Sequence, residues 1–308
     1  MRLSRTLALG ASLMVLLSAC ATGGSSKPTI KIGSDGFYEA QIVAEMYAQV
    51  LENAGYKVER NLGLGARKVT TPALESGQID LKPEYLGSGL GYYDPKKTTG
   101  DPAANARALG EILKTKGAGI SVLAYSPGQD TNAFVVRKET AEQYKLTRMS
   151  DLAAVQDQLT WGLPPECETN PLCAGALKDA YKINWPPKKL KLLAACGAEI
   201  AAALEGKAVD VGEMCSTQPI IGSSKVGLVA LQDDKATQPA ENLAPIVRDD
   251  FLAKLSASDK TAFVALLDAV SAKLTTEALV KLGVAYEVDK KDVGDIARAF
   301  LKDSGLIK

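Results

Sequence analysis

Short apolar runs alternate with segments of helical periodicity along most of the chain. Residues 29–33 (TIKIG) are strand-like, and apolar residues then recur at helical spacing from Ile42 to Ala54, ending at Gly55. Further strand-like runs are YKVERNL, QIDL, ISVLAY, NAFVVR, LTWGL, KLKLL and AVDVG, and most are separated by helical segments. Strands that alternate with helices of this kind are typical of α/β proteins with mainly parallel sheets. After LAPIVRDD the pattern becomes mostly helical.

One segment of the chain resembles another about 130 residues away. LESGQIDLKPEY, from Leu74 to Tyr85, aligns without gaps on LEGKAVDVGEMC, from Leu204 to Cys215. Two such units suggest two similar lobes, although helix-turn-strand units can also resemble one another through composition alone. Ligands of parallel sheets bind beyond the carboxyl ends of the strands. We therefore expect Tyr85 and Cys215 at equivalent positions that face one cleft.

The N-terminus has the pattern of an exported lipoprotein. Two arginines precede an apolar run from Leu7 to Leu17, and Leu-Ser-Ala then leads into Cys20. This predicts a signal peptide over residues 1–19, lipid on Cys20 and a small polar tether over residues 20–27. The alternative is a transmembrane anchor, but the run is shorter than the roughly 20 residues that span a bilayer. We expect the protein on the periplasmic or cell-surface face of a membrane.

The composition excludes several classes of function. Lys plus Arg equals Asp plus Glu, at 36 each, so nucleic acid is not an expected partner. The chain has no histidine, which removes the commonest general base and the commonest metal ligand. Neither a G-x-S-x-G nor a P-loop motif is present, so we expect neither an enzyme nor a cofactor. The mature chain of about 280 residues favours two domains.

Four cysteines remain if Cys20 is lipidated. An even number outside the cytoplasm favours two disulfides, and local order favours Cys167 with Cys173 and Cys196 with Cys215 among three possible pairings. The alternative is a thiol metal or redox lipoprotein. Five residues separate the first two thiols, which fits the paired spacing of a four-thiolate metal site poorly, so no metal is expected.

Several motifs resemble those of a known family. IGSDGFYEA, LKPEYLGS, GEMCSTQ and LQDDKATQPAENLAPIVR are similar to segments of the glycine betaine, carnitine and choline binding proteins of ABC importers. The resemblance implies a two-lobed periplasmic-binding-protein fold, with lobe 1 over residues 28–128 and 237–308 and lobe 2 over residues 129–236. It also implies a monomeric receptor that closes on a small cationic or zwitterionic nitrogen compound and delivers it to an ABC permease.

The resemblance carries over only part of the aromatic cage that such proteins build around a quaternary ammonium. Tyr85 and Ser88 of PEYLGS are retained, and IGSDGF supplies Ser34 and Phe37. Lobe 2 keeps the polar frame, as Thr131 and Asn132 and as Thr217, but Cys215 stands where a ring is expected. Two missing rings would weaken cation binding by roughly 1–2 kcal/mol each. The candidates to rebuild the cage are Phe37, Tyr92, Tyr93 and Trp161, and the alternative for each ring is a place in the core or over a loop.

Acidic residues follow several of the predicted strands. Asp35, Asp130, Glu166 and Glu213 would suit a protonated amine, which can donate hydrogen bonds to carboxylates. Such residues can equally cap the next helix. The solute is therefore either betaine-like or a different amine or amino-acid-like compound. Arg67 and Arg137 are the candidates for binding a ligand carboxylate.

Overall fold

The computed structural model describes residues 27–116, 119–165, 167–194 and 197–308. The predicted signal peptide, Cys20, Glu166 and Cys196 lie outside the described residues, so the predictions made for them stay predictions. Within the described ranges, no helix combines the length and apolar character needed to cross a membrane.

Ten strands in the described residues form two five-stranded sheets of the same design. The first has the order β2-β1-β3-β10-β4 and the second the order β7-β6-β8-β5-β9. The first comprises β1 (Ile30–Gly33), β2 (Val58–Asn61), β3 (Leu81–Tyr85), β4 (Ile120–Val122) and β10 (Leu243–Arg248). The second comprises β5 (Asn132–Arg137), β6 (Trp161–Leu163), β7 (Leu190–Leu192), β8 (Val211–Cys215) and β9 (Leu228–Ala230).

Helices cover the faces of both sheets. Those of the first half are α1 (Tyr38–Asn53), α2 (Arg67–Glu75), α3 (Leu86–Tyr93), α4 (Pro102–Lys116) and α5 (Lys138–Tyr144). The later ones are α6 (Ala198–Glu205), α7 (Pro219–Ser223), α8 (Asp249–Leu252), α9 (Ala257–Ser271), α10 (Thr276–Gly283) and α11 (Val293–Asp303). Pro171–Ala180 is a π-helical segment, and Met149–Ala154 is a 3-10 helix.

The two-lobed α/β fold is confirmed, and each sheet is mainly parallel with one strand that runs against the other four. In the first sheet β1 runs parallel to β2 and β3, whereas β10 is antiparallel to β3 and β4. The second sheet repeats this arrangement with β5 antiparallel to β8 and β9. The strands β5 and β10 follow the crossings between the sheets, so they enter their sheets at the edge where β3 and β8 end. They must therefore run in the opposite direction.

Helix α1 places the start of the first lobe at the cleft. Its residues are buried almost throughout, because it packs between the first sheet and the helices α9 and α11. It ends at Asn53, and Gly55 follows with a φ of 85°, a value that favours glycine. The opposite end of α1 carries Phe37, Tyr38 and Glu39.

The internal repeat is present in the structure. The strand β3 ends at Tyr85, which pairs with Leu243, and β8 ends at Cys215, which pairs with Asn132. Both strands begin and end about three residues later than the apolar pattern predicts, so both residues close a strand instead of lying in a loop.

A buried arginine at the end of the adjoining antiparallel strand contacts each repeat at the same place. Arg248 Nη1 donates to the carbonyl of Leu74 at 2.8 Å, and Arg137 Nη1 donates to that of Leu204 at 3.1 Å. Each arginine thereby satisfies carbonyl oxygens at the end of a helix that lack intrahelical partners. Arg137 is thus committed to the framework of lobe 2.

Two antiparallel segments connect the sheets and form the hinge. Gln129 and Asn242 form a β-bridge between them, and the N–H of Asp130 donates to the carbonyl of Glu241 at 3.1 Å. The segments join sheets assigned to lobes 1 and 2, and the predicted boundaries at 128/129 and 236/237 stay predictions.

Candidate functional site

Two adjoining cavities lie in the cleft between the sheets. The first chamber, of about 320 Å³, is lined by Arg67, Tyr85, Ser88, Thr131, Asn132 and Glu241 among others. The second chamber, of about 170 Å³, is lined by Tyr38, Glu39, Thr217 and Glu287 among others. Phe37, Asp130 and Cys215 line both chambers, so one ligand can contact both. Tyr85 and Cys215 do face the same cavity.

The aromatic wall of the site comes from the first lobe. The rings of Phe37 and Tyr85 lie 5.7 Å apart and are tilted by 41°. Phe37 is 44% exposed, which leaves its ring free to contact a ligand. Tyr38 stacks on Tyr286 at 5.2 Å. Trp161 is fully buried in the core of lobe 2 beside Trp185, so it belongs to the core.

Glu39 is the deepest acid of the second chamber. It is 2% exposed, and its Oε1 accepts a 2.5 Å hydrogen bond from the Tyr85 hydroxyl. Its Oε2 has no hydrogen-bond partner among the described residues. Burial, together with the nearby Asp130 carboxyl, raises the pKa of Glu39 to about 8. The pKa of Asp130 is also raised, chiefly by burial.

Glu241 joins the hinge to the first lobe. Its carboxylate accepts hydrogen bonds from the N–H and the hydroxyl of Ser88, at 2.9 and 2.8 Å, in the first turn of α3. A carboxylate is stabilised at a helix N-terminus. Burial nevertheless dominates and raises the pKa of Glu241 to about 7.

A buried charge cluster lies behind the first chamber. Lys82 is fully buried, and its Nζ contacts Asp35 at 2.9 Å, Thr70 at 2.8 Å and Glu84 at 3.1 Å. Arg67 contacts the other oxygen of Glu84 at 2.9 Å. Burial opposes ionisation of Glu84, but the two cations outweigh it and lower its pKa. Two cations and two carboxylates balance one another in this cluster.

This cluster accounts for two of the residues predicted to contact ligand. Asp35 is bonded to Lys82 and Thr70, and it is absent from the described lining of either chamber. Ser34 accepts hydrogen bonds from Gly63 N–H at its Oγ and from Leu64 N–H at its carbonyl, so it shapes the turn formed by residues 62–65. Both residues position the wall of the cleft.

The two polar motifs of lobe 2 lie against each other. The N–H of Thr131 donates to Ser216 Oγ at 3.0 Å, and Ser216 Oγ donates to the carbonyl of Gln129 at 3.1 Å. The N–H of Thr217 approaches Asp130 Oδ1 at 3.4 Å. Both motifs therefore reach the cavities, Thr131 and Asn132 in the first chamber and Thr217 in the second.

Cys167 and Cys173 form a disulfide, as predicted. Cys215 is also disulfide-bonded, and its partner is not among the described residues, so the pairing with Cys196 stays a prediction. Glu213 is buried on β8, and one of its carboxylate oxygens lies within 4.8 Å of the bonded sulfurs of Cys167 and Cys173. Glu213 is absent from the described lining of both chambers.

Sequence reasoning missed the acids that reach the cavities most directly. Glu39 lies within the helical pattern of α1 and Glu241 within a polar stretch before LAPIVR, and neither pattern distinguishes the acid from its neighbours. Lys82 left a clearer signal, because Asp80, Lys82 and Glu84 alternate along IDLKPEY and so point to one face of the strand. Tyr92 and Tyr93 contact each other and are not among the described lining residues.

The sequence matches one protein-family model over most of its length. Residues 28–303 match the model of the substrate binding domain of ABC-type glycine betaine transport systems. The chain belongs to this family. Its members are solute-binding proteins of ABC importers rather than enzymes, and they act outside the cytoplasm.

Curated relatives of the chain come from the same family. The glycine betaine-binding protein YehZ of Escherichia coli is 27% identical over 98% of this chain and 99% of its own length. The carnitine transport binding protein OpuCC of Listeria monocytogenes is 28% identical over 94% of this chain and 92% of its own.

Solved structures show the same fold. Apo YehZ from E. coli superposes with a TM-score of 0.79 at 24% identity, covering 90% of this chain and 99% of its own. A glycine betaine/carnitine/choline ABC transporter structure gives 0.79 at 22% identity, over 91% of this chain and 100% of its own.

Proposed function

We propose that the protein captures a small cationic or zwitterionic nitrogen compound between its lobes and delivers it to an ABC permease. The observation that supports this most is the charge of the cavity walls. Glu39, Asp130, Glu241 and Glu287 line the two chambers, and Arg67 is the one cation among the described lining residues. Since Arg67 is already paired with Glu84, the chambers carry an excess of carboxyl groups that a cationic ligand would offset.

Arg67 also gives the site a means of binding a zwitterion. A guanidinium has five N–H donors, and the hydrogen bonds of Arg67 go from its Nε and Nη2 side to Glu84. Its remaining donors can bind a ligand carboxylate in the first chamber while the cationic end contacts the acids. Glycine betaine and carnitine, named for the relatives, have this combination of charges.

Lobe closure is the proposed mechanism. Phe37, Tyr85 and Arg67 come from the first lobe, Asn132 and Cys215 come from the second, and Asp130 and Glu241 lie on the hinge segments. Rotation about the hinge changes the distance between the walls while the hinge carboxyls stay near the axis. A bound cation would therefore stabilise the closed arrangement of the lobes, in which the ligand is buried.

The remaining expectations concern the setting of the receptor. We propose that Cys20 carries the lipid that holds the protein on the periplasmic or cell-surface side of a membrane, with residues 20–27 as a tether. The receptor acts as a monomer, binds no nucleic acid and needs no cofactor or catalytic group.

Thermal shift and calorimetry with a solute panel test the proposal. Betaines, choline, carnitine, polyamines and basic amino acids should include a ligand that raises the melting temperature, and succinate and glucose should have no effect. A melting temperature unmoved by every nitrogen compound, or raised only by succinate, would contradict it.

A further inference from the structure

We infer that the natural solute carries an N–H donor on its positively charged nitrogen, so that the receptor prefers a protonated amine to the matching quaternary ammonium compound. This inference rests on the proposed function and narrows the class of its solute. It is carried by the acceptor groups of the second chamber and by the placement of the rings.

The rings of the described lining cover one side of the site. Phe37, Tyr38 and Tyr85 all belong to the first lobe, near the N-terminus of α1 and the end of β3. Across the cleft stand Cys215 and Asn132, which offer no ring face. A quaternary ammonium cannot donate hydrogen bonds, so it gains most where rings surround it.

The acids of the second chamber can accept hydrogen bonds from a ligand. Glu39 is almost fully buried and its Oε1 is occupied by Tyr85, whereas its Oε2 has no partner in the described part of the chain. Asp130 lines the same chamber from the hinge, and Glu287 lines it from the C-terminal region. The ionised form of such a buried acceptor carries a desolvation penalty. An N–H cation offsets it with both its charge and a hydrogen bond, whereas a quaternary cation offers its charge alone.

The ionisation behaviour of Glu39 agrees with this geometry. The groups around it are the hydroxyls of Tyr85 and Thr217, which lower its pKa, the Asp130 carboxyl, Tyr38 and, at the rim, Glu287. None of these is a cation, and the pKa of Glu39 is raised to about 8. The ligand is the group that can supply the missing positive charge.

Matched pairs of ligands that differ by one methyl group test the inference. Choline is compared with N,N-dimethylethanolamine, and glycine betaine with N,N-dimethylglycine, by isothermal titration calorimetry at pH 7.5. We expect the tertiary amine of at least one pair to bind at least about tenfold more tightly, which corresponds to about 1.4 kcal/mol. In Glu39→Gln the two members of a pair should bind about equally well. In Glu45→Gln the preference should persist, since Glu45 is a buried acid of the same helix that is paired with Arg60.

The outcomes separate this inference from the proposed function. If the quaternary compound binds as tightly or more tightly in both pairs, the inference is overturned and the nitrogen-compound receptor stands. If the amine preference persists undiminished in Glu39→Gln, the role of Glu39 in the inference is overturned. If neither pair binds and no other amine of the panel does, both the inference and the proposed function fail.

Discussion

Replacing Glu39 by glutamine should stabilise the empty receptor and lower its affinity for ligand. In the folded protein the pKa of Glu39 is about 8, against an ordinary value of 4.5. Since the folded pKa is the higher one, the stability associated with protonated Glu39 is full below about pH 4.5 and is lost as the pH rises towards 8. Above pH 8 the folded chain holds an ionised carboxylate that no described cation offsets.

The size of the effect follows from that difference in pKa. Roughly 3.5 pKa units correspond to about 5 kcal/mol at 1.36 kcal/mol per unit. The amide of glutamine keeps an acceptor for Tyr85 but adds an N–H without a partner, which costs about 1–3 kcal/mol. A net gain of about 2–4 kcal/mol is expected at pH 9, or a melting temperature higher by about 5 °C or more.

Differential scanning calorimetry across pH 5 to 9, with and without ligand, measures both effects. The variant should melt a few degrees below the wild type at pH 5, where the unpaired amide N–H acts without a compensating gain, and above it at pH 9. The ligand-induced shift should shrink, because affinity drops by about tenfold or more. Glu45→Gln is the control, and it should lose stability and keep affinity because its partner Arg60 lies away from the chambers. A Glu39→Gln protein that melts lower than wild type at pH 9, or binds ligand as well, refutes the reasoning.

Further predictions concern protons, the charge cluster and the disulfides. Binding of an amine at pH 7.5 should release about 0.5–1 proton, which calorimetry detects as a binding enthalpy that depends on the buffer. Affinity for the amine should rise from pH 6 to 8.5 as Glu39 and Glu241 ionise, and an affinity that falls over this range contradicts the prediction. Lys82→Met leaves the buried Asp35 without a cation, while Glu84 keeps Arg67, and should cost about 3–5 kcal/mol in urea unfolding. A loss below about 1 kcal/mol would show that the cluster is not needed. Removing the Cys167–Cys173 disulfide by a double serine substitution should cost about 2 kcal/mol and change affinity little, and a large loss of affinity would place the disulfide in the site.

The fold was predictable because it follows from patterns that are local in sequence. Apolar periodicity predicted α1, and the strand NAFVVR matches β5 at both ends, since a short run that is buried on both faces of a sheet is apolar along nearly its whole length. The direction of β5 and β10 was not predictable from periodicity, because a strand reads the same in either direction. The ends of β3 and β8 were also misplaced, since polar residues such as Lys82 and Glu84 are buried there by ion pairing.

The site was only partly predictable because its decisive contacts join distant parts of the chain. Tyr85 was found from its motif, yet its hydroxyl bonds to Glu39, 46 positions away. Asp130 was identified from its place at the lobe crossing, whereas its neighbour Glu241 lies on the returning segment and left no local signal. Asp35 shows the reverse case, because a strand-end acid that was predicted to contact ligand is bonded to a lysine buried on the neighbouring strand β3, 47 positions along the chain.

A crystal structure of the complex with the tightest-binding amine of the panel tests the central claim most directly. The account predicts the nitrogen in the second chamber, about 2.7–3.2 Å from a carboxylate oxygen of Glu39 or Asp130, with the rings of Phe37 and Tyr85 beside it. A nitrogen held by rings alone, or a ligand bound outside the cleft, would contradict it.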